Sequence, residues 1–233
     1  MTAGLPGTSR RCTGRARKKP QQAREHQHTR GPEGRREPGS RRYDAGRLEL
    51  PVPTRPKVIL IHGNGGCTAG DFWYPAVERE LSAAGLTVIN RTFPDNIKAR
   101  SRFWLPFLES LGADQDTILI GHSSGAVAAM RYAEAHRIRG SVLVGVCHTD
   151  LGDGGEAASG YYDRPWRWPA IRANQTWIAV FNSTDDPHIP IAEPRFVAAQ
   201  LKCSYFECVD RGHFTDTVFP EVCDVVRRKE ALP

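Results

Sequence analysis

The sequence predicts an α/β fold: a three-layer sandwich with a mostly parallel central sheet of about six strands. Three observations carry this expectation. Six short apolar runs recur between residues 57 and 209, separated by stretches with helical patterning, the alternation expected of βα units. Several of these runs are apolar throughout rather than at every second residue, as in strands covered on both faces. And the stretch Gly121-His122-Ser123-Ser124-Gly125 sits where one run gives way to a segment of small residues, the signature of a tight strand-to-helix turn.

The first 55 residues of the 233 carry 14 Lys/Arg against 5 Asp/Glu, and the other 178 carry 18 against 21. The basic character of the chain is therefore a property of its front end. Residues 1–55 are rich in Arg, Gly, Pro, Gln and Ser and lack apolar periodicity. They cannot bury enough surface to offset the cost of ordering, and are expected to form a disordered basic tail ahead of a single domain over 56–233. Such a tail could touch nucleic acid, but a solvated extension or a mis-assigned gene start is the preferred reading. No apolar run reaches the roughly 18–20 residues that span a bilayer, and residues 1–55 lack the apolar stretch expected of a secretory signal. A cytoplasmic location with reduced thiols is expected for the six cysteines. They form no C-x-x-C pair, and Cys203, Cys208 and His213 fit no common zinc spacing, so no metal site is expected.

The expected strands are Lys57–His62, Leu86–Asn90, Thr117–Gly121, Ser141–Val146, Thr176–Phe181 and Cys203–Val209. Helices are expected over about 71–84, 100–110, 124–136, 192–201 and 216–229. One stretch breaks the alternation: residues 148–172 hold several Asp and Gly with Tyr161, Tyr162, Trp166 and Trp168. Insertions of that length between strands are commonly lids or binding loops.

The chemistry centres on Ser123. A nucleophile elbow holds its serine at the sheet edge, flanked by glycines that relieve crowding, with a helix N-terminus behind it. A serine hydroxyl needs a base, and in this arrangement the partners follow in the order Ser, acid, His. Asp185-Asp186-Pro187 and Gly212-His213-Phe214 each come just past an expected strand, where open parallel sheets bind ligands. His213 is read as general base. Asp186 is favoured as the acid because Pro187 fixes the chain direction after it, leaving Asp185 to brace the loop. His122 is read as pointing away from the nucleophile. An oxyanion hole is expected from the N–H of Ser124 and from Asn64 or Gly65 in the first βα loop. That Gly-rich loop is not read as a nucleotide site: Thr68 stands where a dinucleotide fingerprint needs its third glycine, and Asp71 where a P-loop needs lysine.

These motifs resemble the retinoblastoma-binding protein 9 family, small serine hydrolases of the α/β-hydrolase fold. The resemblance runs from Lys57 to near the C-terminus. It rests on GNGG at 63–66, WLPF at 104–107, GHSSGAVAAMRYAEAHR at 121–137, DLGD at 150–153, ASGY at 158–161, RPWRW at 164–168, STDDP at 183–187 and GHF at 212–214. It implies a Ser-His-Asp triad on Ser123, His213 and Asp186, hydrolysis of small acyl substrates, and no cofactor. The family name reflects a Leu-x-Cys-x-Glu motif for the retinoblastoma protein. The aligned residues here, Leu111, Ala113 and Gln115, lack the thiol and the carboxylate, so that partner is not carried over. The basic tail has no counterpart in the family pattern.

Trp73, Trp104, Tyr161, Trp166 and Trp168 are candidates for the substrate pocket, with core packing as the alternative. Asp150, Asp153, Glu156 and Asp163 would suit a substrate with a free amine; a solvated acidic loop is the alternative. The competing functional class is a non-catalytic binding or scaffold protein on a hydrolase fold, since a fold does not fix a function.

Overall fold

The structure, a computed structural model, describes residues 55–232. The expected basic tail, apart from its last residue, lies outside the described residues. Six strands form one sheet: β1 (Lys57–Ile61), β2 (Thr87–Asn90), β3 (Thr117–His122), β4 (Gly140–Val144), β5 (Trp177–Ser183) and β6 (Ser204–Cys208). Every pairing is parallel, in the order β2-β1-β3-β4-β5-β6. The helices are α1 (Tyr74–Ala83), α2 (Ser101–Ser110), α3 (Ser124–Ala133), α4 (Gly154–Ala157), α5 (Trp168–Ala173), α6 (Ala192–Leu201) and α7 (Pro220–Glu230).

Burial follows position in the sheet. The central strands β3 and β4 are buried at every residue, whereas edge strands β2 and β6 are only partly covered. Side chains alternate between faces along each strand, so the sheet divides the interior in two. Val58, Leu60, Ile118, Ile120, Val142 and Val144 meet α1 and α7 on one side. Ile59, Ile61, Leu119, Leu143 and Val180 meet α2, α3, α5 and α6 on the other. Burying apolar surface on both faces is the main force holding the three layers together.

Helix α3 lies unusually close to the sheet. A Cβ at Gly125 would overlap the carbonyl oxygens of Ile61 and His62, and one at Gly121 would overlap the Gly125 carbonyl. Backbone cannot yield as a side-chain tip can, so both positions require glycine. The insertion at 148–172 contains two short helices that were not expected. Asp153 starts α4 by accepting the N–H groups of Gly155 and Glu156 at 2.7 and 2.9 Å, the usual N-cap arrangement. The rest of the insertion is pinned to α3 by buried Arg131. Its guanidinium donates to the carbonyls of Tyr161, Arg164 and Pro165, pairs with Glu134 at 2.7 Å, and lies 3.5 Å from the Trp166 ring centre. Among the described residues, no helix is long and apolar enough to cross a membrane.

Candidate active site

The loops after β1, β3, β4, β5 and β6 converge at the carboxyl ends of the strands around a cleft of about 650 Å³. Ser123, Ser124, Asn64, Gly65 and His213 line it. Ser123 ends the β3 turn with φ 54° and ψ −122°, a conformation that is costly for any residue with a side chain and persists only where the surroundings impose it. Two hydrogen bonds impose it here: Ser123 N–H to the Val144 carbonyl at 2.8 Å, and Ala126 N–H to the Ser123 carbonyl at 2.9 Å. The serine is thereby held directly before the N-terminus of α3, the positive end of that helix.

His213 lies in the loop between β6 and α7. Its Nδ1 is 2.8 Å from Asp186 Oδ2, and the Asp186 side chain is fully buried. The other carboxylate oxygen, Oδ1, accepts the backbone N–H groups of His188 and Ile189 at 2.9 and 3.0 Å. Burial pushes the Asp186 pKa up. The hydrogen bond and charge of His213, with the two backbone N–H groups, outweigh that and leave it below the ordinary carboxylate value. Asp185 turns the other way, taking the Ser183 hydroxyl and the Gly212 N–H, and so joins the β5 loop to the β6 loop. Ser123 Oγ makes no hydrogen bond among the described residues. Such contacts are commonly long before substrate arrives.

The loop after β1 corrects one expectation. The Gly65 N–H is spent on the Ile97 carbonyl at 3.1 Å, so it is not free to face an oxyanion. The N–H groups of Asn64 and Ser124 have no partner among the described residues, and both residues line the cleft. The Gly63 α-carbon comes close enough to Ser123 that a Cβ there would touch the Ser123 Cβ at 3.4 Å. The Asn64 side chain donates to Glu156 Oε1 at 2.6 Å, joining the loop to α4. Glu156 also lines the cleft. Burial raises its pKa against the opposing bond from Asn64.

The aromatic candidates are placed elsewhere. Trp73 and Trp104 are buried, with indole N–H groups on the carbonyls of Phe214 and Pro94 at 3.0 and 2.7 Å. Tyr161 is buried under the insertion, and Trp166 stacks on Arg131 and Trp168. Neither these four nor Trp168 lines the cleft. Large flat side chains fill interior space, and here that use wins, with the indole N–H groups of Trp73, Trp104 and Trp166 each on a main-chain carbonyl. The cleft walls are instead made partly of Phe72, Cys147, Leu151, Tyr162 and Ile189. Leu151 and Tyr162 fall in the insertion expected to form a lid or binding loop, whereas Phe72, Cys147 and Ile189 were not anticipated as walls. Their loop positions gave no periodic signal to separate a wall from a surface.

Burial lowers the pKa of His62 and of His122. His62 Nδ1 donates to the Gly63 carbonyl and its Nε2 accepts the Phe93 N–H. His122, read from the sequence as facing away, is buried beside His213 with ring centres 4.9 Å apart. Burial, aided by the His213 charge, pushes its pKa down to about 3. Among the described residues no group of three or more His, Cys, Asp or Glu is placed to hold a metal ion.

Comparison with known proteins gives this geometry its context. Residues 58–219 match the model of the family described as serine hydrolase. The chain is 46% identical over 174 residues to serine hydrolase RBBP9 of Rattus norvegicus, covering 73% of this chain and 94% of that protein. The structure of the ydeN gene product of Bacillus subtilis superposes with a TM-score of 0.70 at 24% identity, over 76% of this chain and 99% of that one. Est1E of Butyrivibrio proteoclasticus, solved with ferulic acid bound, gives 0.61 at 15% identity, over 74% and 87%. The last two show the fold alone. On the first two findings the chain belongs to the serine hydrolase family, with the α/β-hydrolase fold.

Proposed function

We propose that this hydrolase cleaves small ester or amide substrates by acyl transfer, with Ser123 as nucleophile, His213 as general base and Asp186 orienting the base. The observation that carries the reading is the Asp186–His213 pair at 2.8 Å, opening onto the same cleft as the strained Ser123. With Nδ1–H donated to Asp186, the His213 Nε2 is left as an acceptor. It takes the Ser123 proton as Oγ attacks the carbonyl carbon. The oxyanion that forms accepts from the N–H groups of Asn64 and Ser124, each such donor being worth about 10²–10³ in rate. His213 then gives its proton to the departing alcohol or amine, and water, activated by the same imidazole, releases the acid. Asp186, ionised at neutral pH, stabilises the imidazolium of both steps. Each step uses only groups of this chain and water.

The acyl group is constrained by charge. Asp153 and Glu156 line the cleft, and a substrate ammonium beside Glu156 would favour the ionised form that burial disfavours. This supports amino-acyl over plain acyl substrates. The unpaired thiols of the described residues suit a reducing compartment such as the cytoplasm.

A panel of short esters and amides, including alanyl and acetyl esters of one alcohol, tests the reading. Saturable turnover that favours the alanyl ester is expected. Equal rates remove the preference for an amine. A folded protein inert across the panel points to the binding-protein alternative.

A further inference from the structure

A chain of hydrogen bonds outside the Asp186–His213 pair runs beneath the cleft. The His213 main-chain carbonyl lies 2.8 Å from His122 Nε2, and His122 Nδ1 lies 2.5 Å from the Tyr74 hydroxyl. The Tyr74 oxygen in turn accepts the Gly63 N–H at 3.4 Å. A carbonyl only accepts, so Nε2 of His122 carries the proton. Nδ1 is then an acceptor, and the Tyr74 O–H must donate to it. The direction of every bond is fixed by this reasoning. Both side chains are 1% exposed, so water does not compete for these partners. Four elements are joined: the oxyanion loop at Gly63, α1 through Tyr74, the elbow through His122, and the base loop at His213.

We infer that His122 and Tyr74 are a positioning pair that fixes the backbone of His213 and so sets where its imidazole stands relative to Ser123. The inference rests on the acyl-transfer reading. Asp186 holds the imidazole from one side, and the flanking residues are tied by the Gly212 N–H to Asp185 and by the Phe214 carbonyl to the Trp73 indole, which leaves the main chain of His213 itself to be fixed. The carbonyl bond to His122 holds the loop itself. Histidine suits this place because it donates without bringing a charge. A cation 4.9 Å from His213 would oppose the imidazolium that forms during turnover, and the low pKa of His122 keeps it neutral throughout the working range. The link to Gly63 extends the same control to the loop that carries Asn64, so base and oxyanion donors share one support.

The experiment measures kcat and KM on one short ester for wild type, Ser123→Ala, His122→Leu, His122→Gln and Tyr74→Phe, with thermal melts to confirm folding. A shift of about 1 Å in a catalytic group costs up to about 10²-fold, so His122→Leu should lower kcat by about 10–100-fold with KM within about twofold of wild type. His122→Gln keeps a donor for the His213 carbonyl and should recover most of the loss. A folded His122→Leu with kcat within twofold of wild type overturns the inference, as does a glutamine variant no better than leucine. If the leucine variant does not fold, Tyr74→Phe reads the same relationship. It removes only the hydroxyl, and an unchanged kcat there overturns the inference. Wild type without turnover, or Ser123→Ala as active as wild type, sinks the acyl-transfer reading, and the inference with it. Wild type active and Ser123→Ala inactive, beside a leucine variant of unchanged kcat, sinks the inference alone.

Discussion

Asp186 faces His213 across 2.8 Å with one carboxylate oxygen, while its other oxygen is bound to the backbone N–H groups of His188 and Ile189. The carboxylate is thus clamped by its own loop before it meets the imidazole, and it presents one oxygen in one direction. Asp185, its neighbour in sequence, is committed to Ser183 and Gly212. The two aspartates therefore have separate duties, one toward the base and one toward the loop scaffold.

Replacing them should separate those duties. Asp186→Asn should lower kcat by up to about 10⁴-fold, because the amide favours the wrong tautomer of His213. Asp185→Asn should cost far less, through looser joining of the β5 and β6 loops. Steady-state rates on one ester decide between them, and a larger loss at 185 than at 186 would reverse the assignment.

The same carboxylate has a thermodynamic signature. Its folded-state pKa lies below the ordinary value, so its ionisation stabilises the fold fully above the unfolded pKa of about 3.9. That contribution is lost as pH falls through the lower folded value. Asp186→Asn has no ionisation to lose. Urea-unfolding free energies of wild type and variant should therefore converge as pH falls from about 5 through and below about 3.9. A difference that stays constant over that range would contradict the account.

Arg131 should be the main tie between the insertion and α3. Its guanidinium holds three carbonyls and Glu134 in a site 3% exposed to solvent. Arg131→Met should destabilise the protein by about 3–5 kcal/mol, the cost of breaking a buried pair from one side. Limited proteolysis should show new cleavage within residues 161–167. Unfolding within 1 kcal/mol of wild type would show that the tie is not needed.

Much of this architecture was legible in the chain. Strands such as Thr117–His122 are apolar runs buried on both faces, and the glycines at 121 and 125 mark a contact between backbones that no other residue permits. Helix starts were less legible. The helix expected from 71 begins at Tyr74, after Phe72 takes a positive φ of 48°, and that expected from 216 begins at Pro220, since proline suits the first helical turn. Helix α4 is four residues long and opens on Gly154-Gly155. Its formation depends on the Asp153 cap rather than on propensity. The pocket aromatics were misplaced because the direction of a loop tryptophan is set by tertiary packing. Trp73, for instance, just ahead of α1, faces inward to reach the Phe214 carbonyl.

The central claim is that one oxygen in this chain is the nucleophile. Reaction with a fluorophosphonate probe, followed by peptide mass spectrometry of wild type and Ser123→Ala, tests it most directly. The account predicts one adduct per wild-type chain, on Ser123, and none on the folded variant. Equal labelling of the variant, or an adduct at another residue, would contradict it.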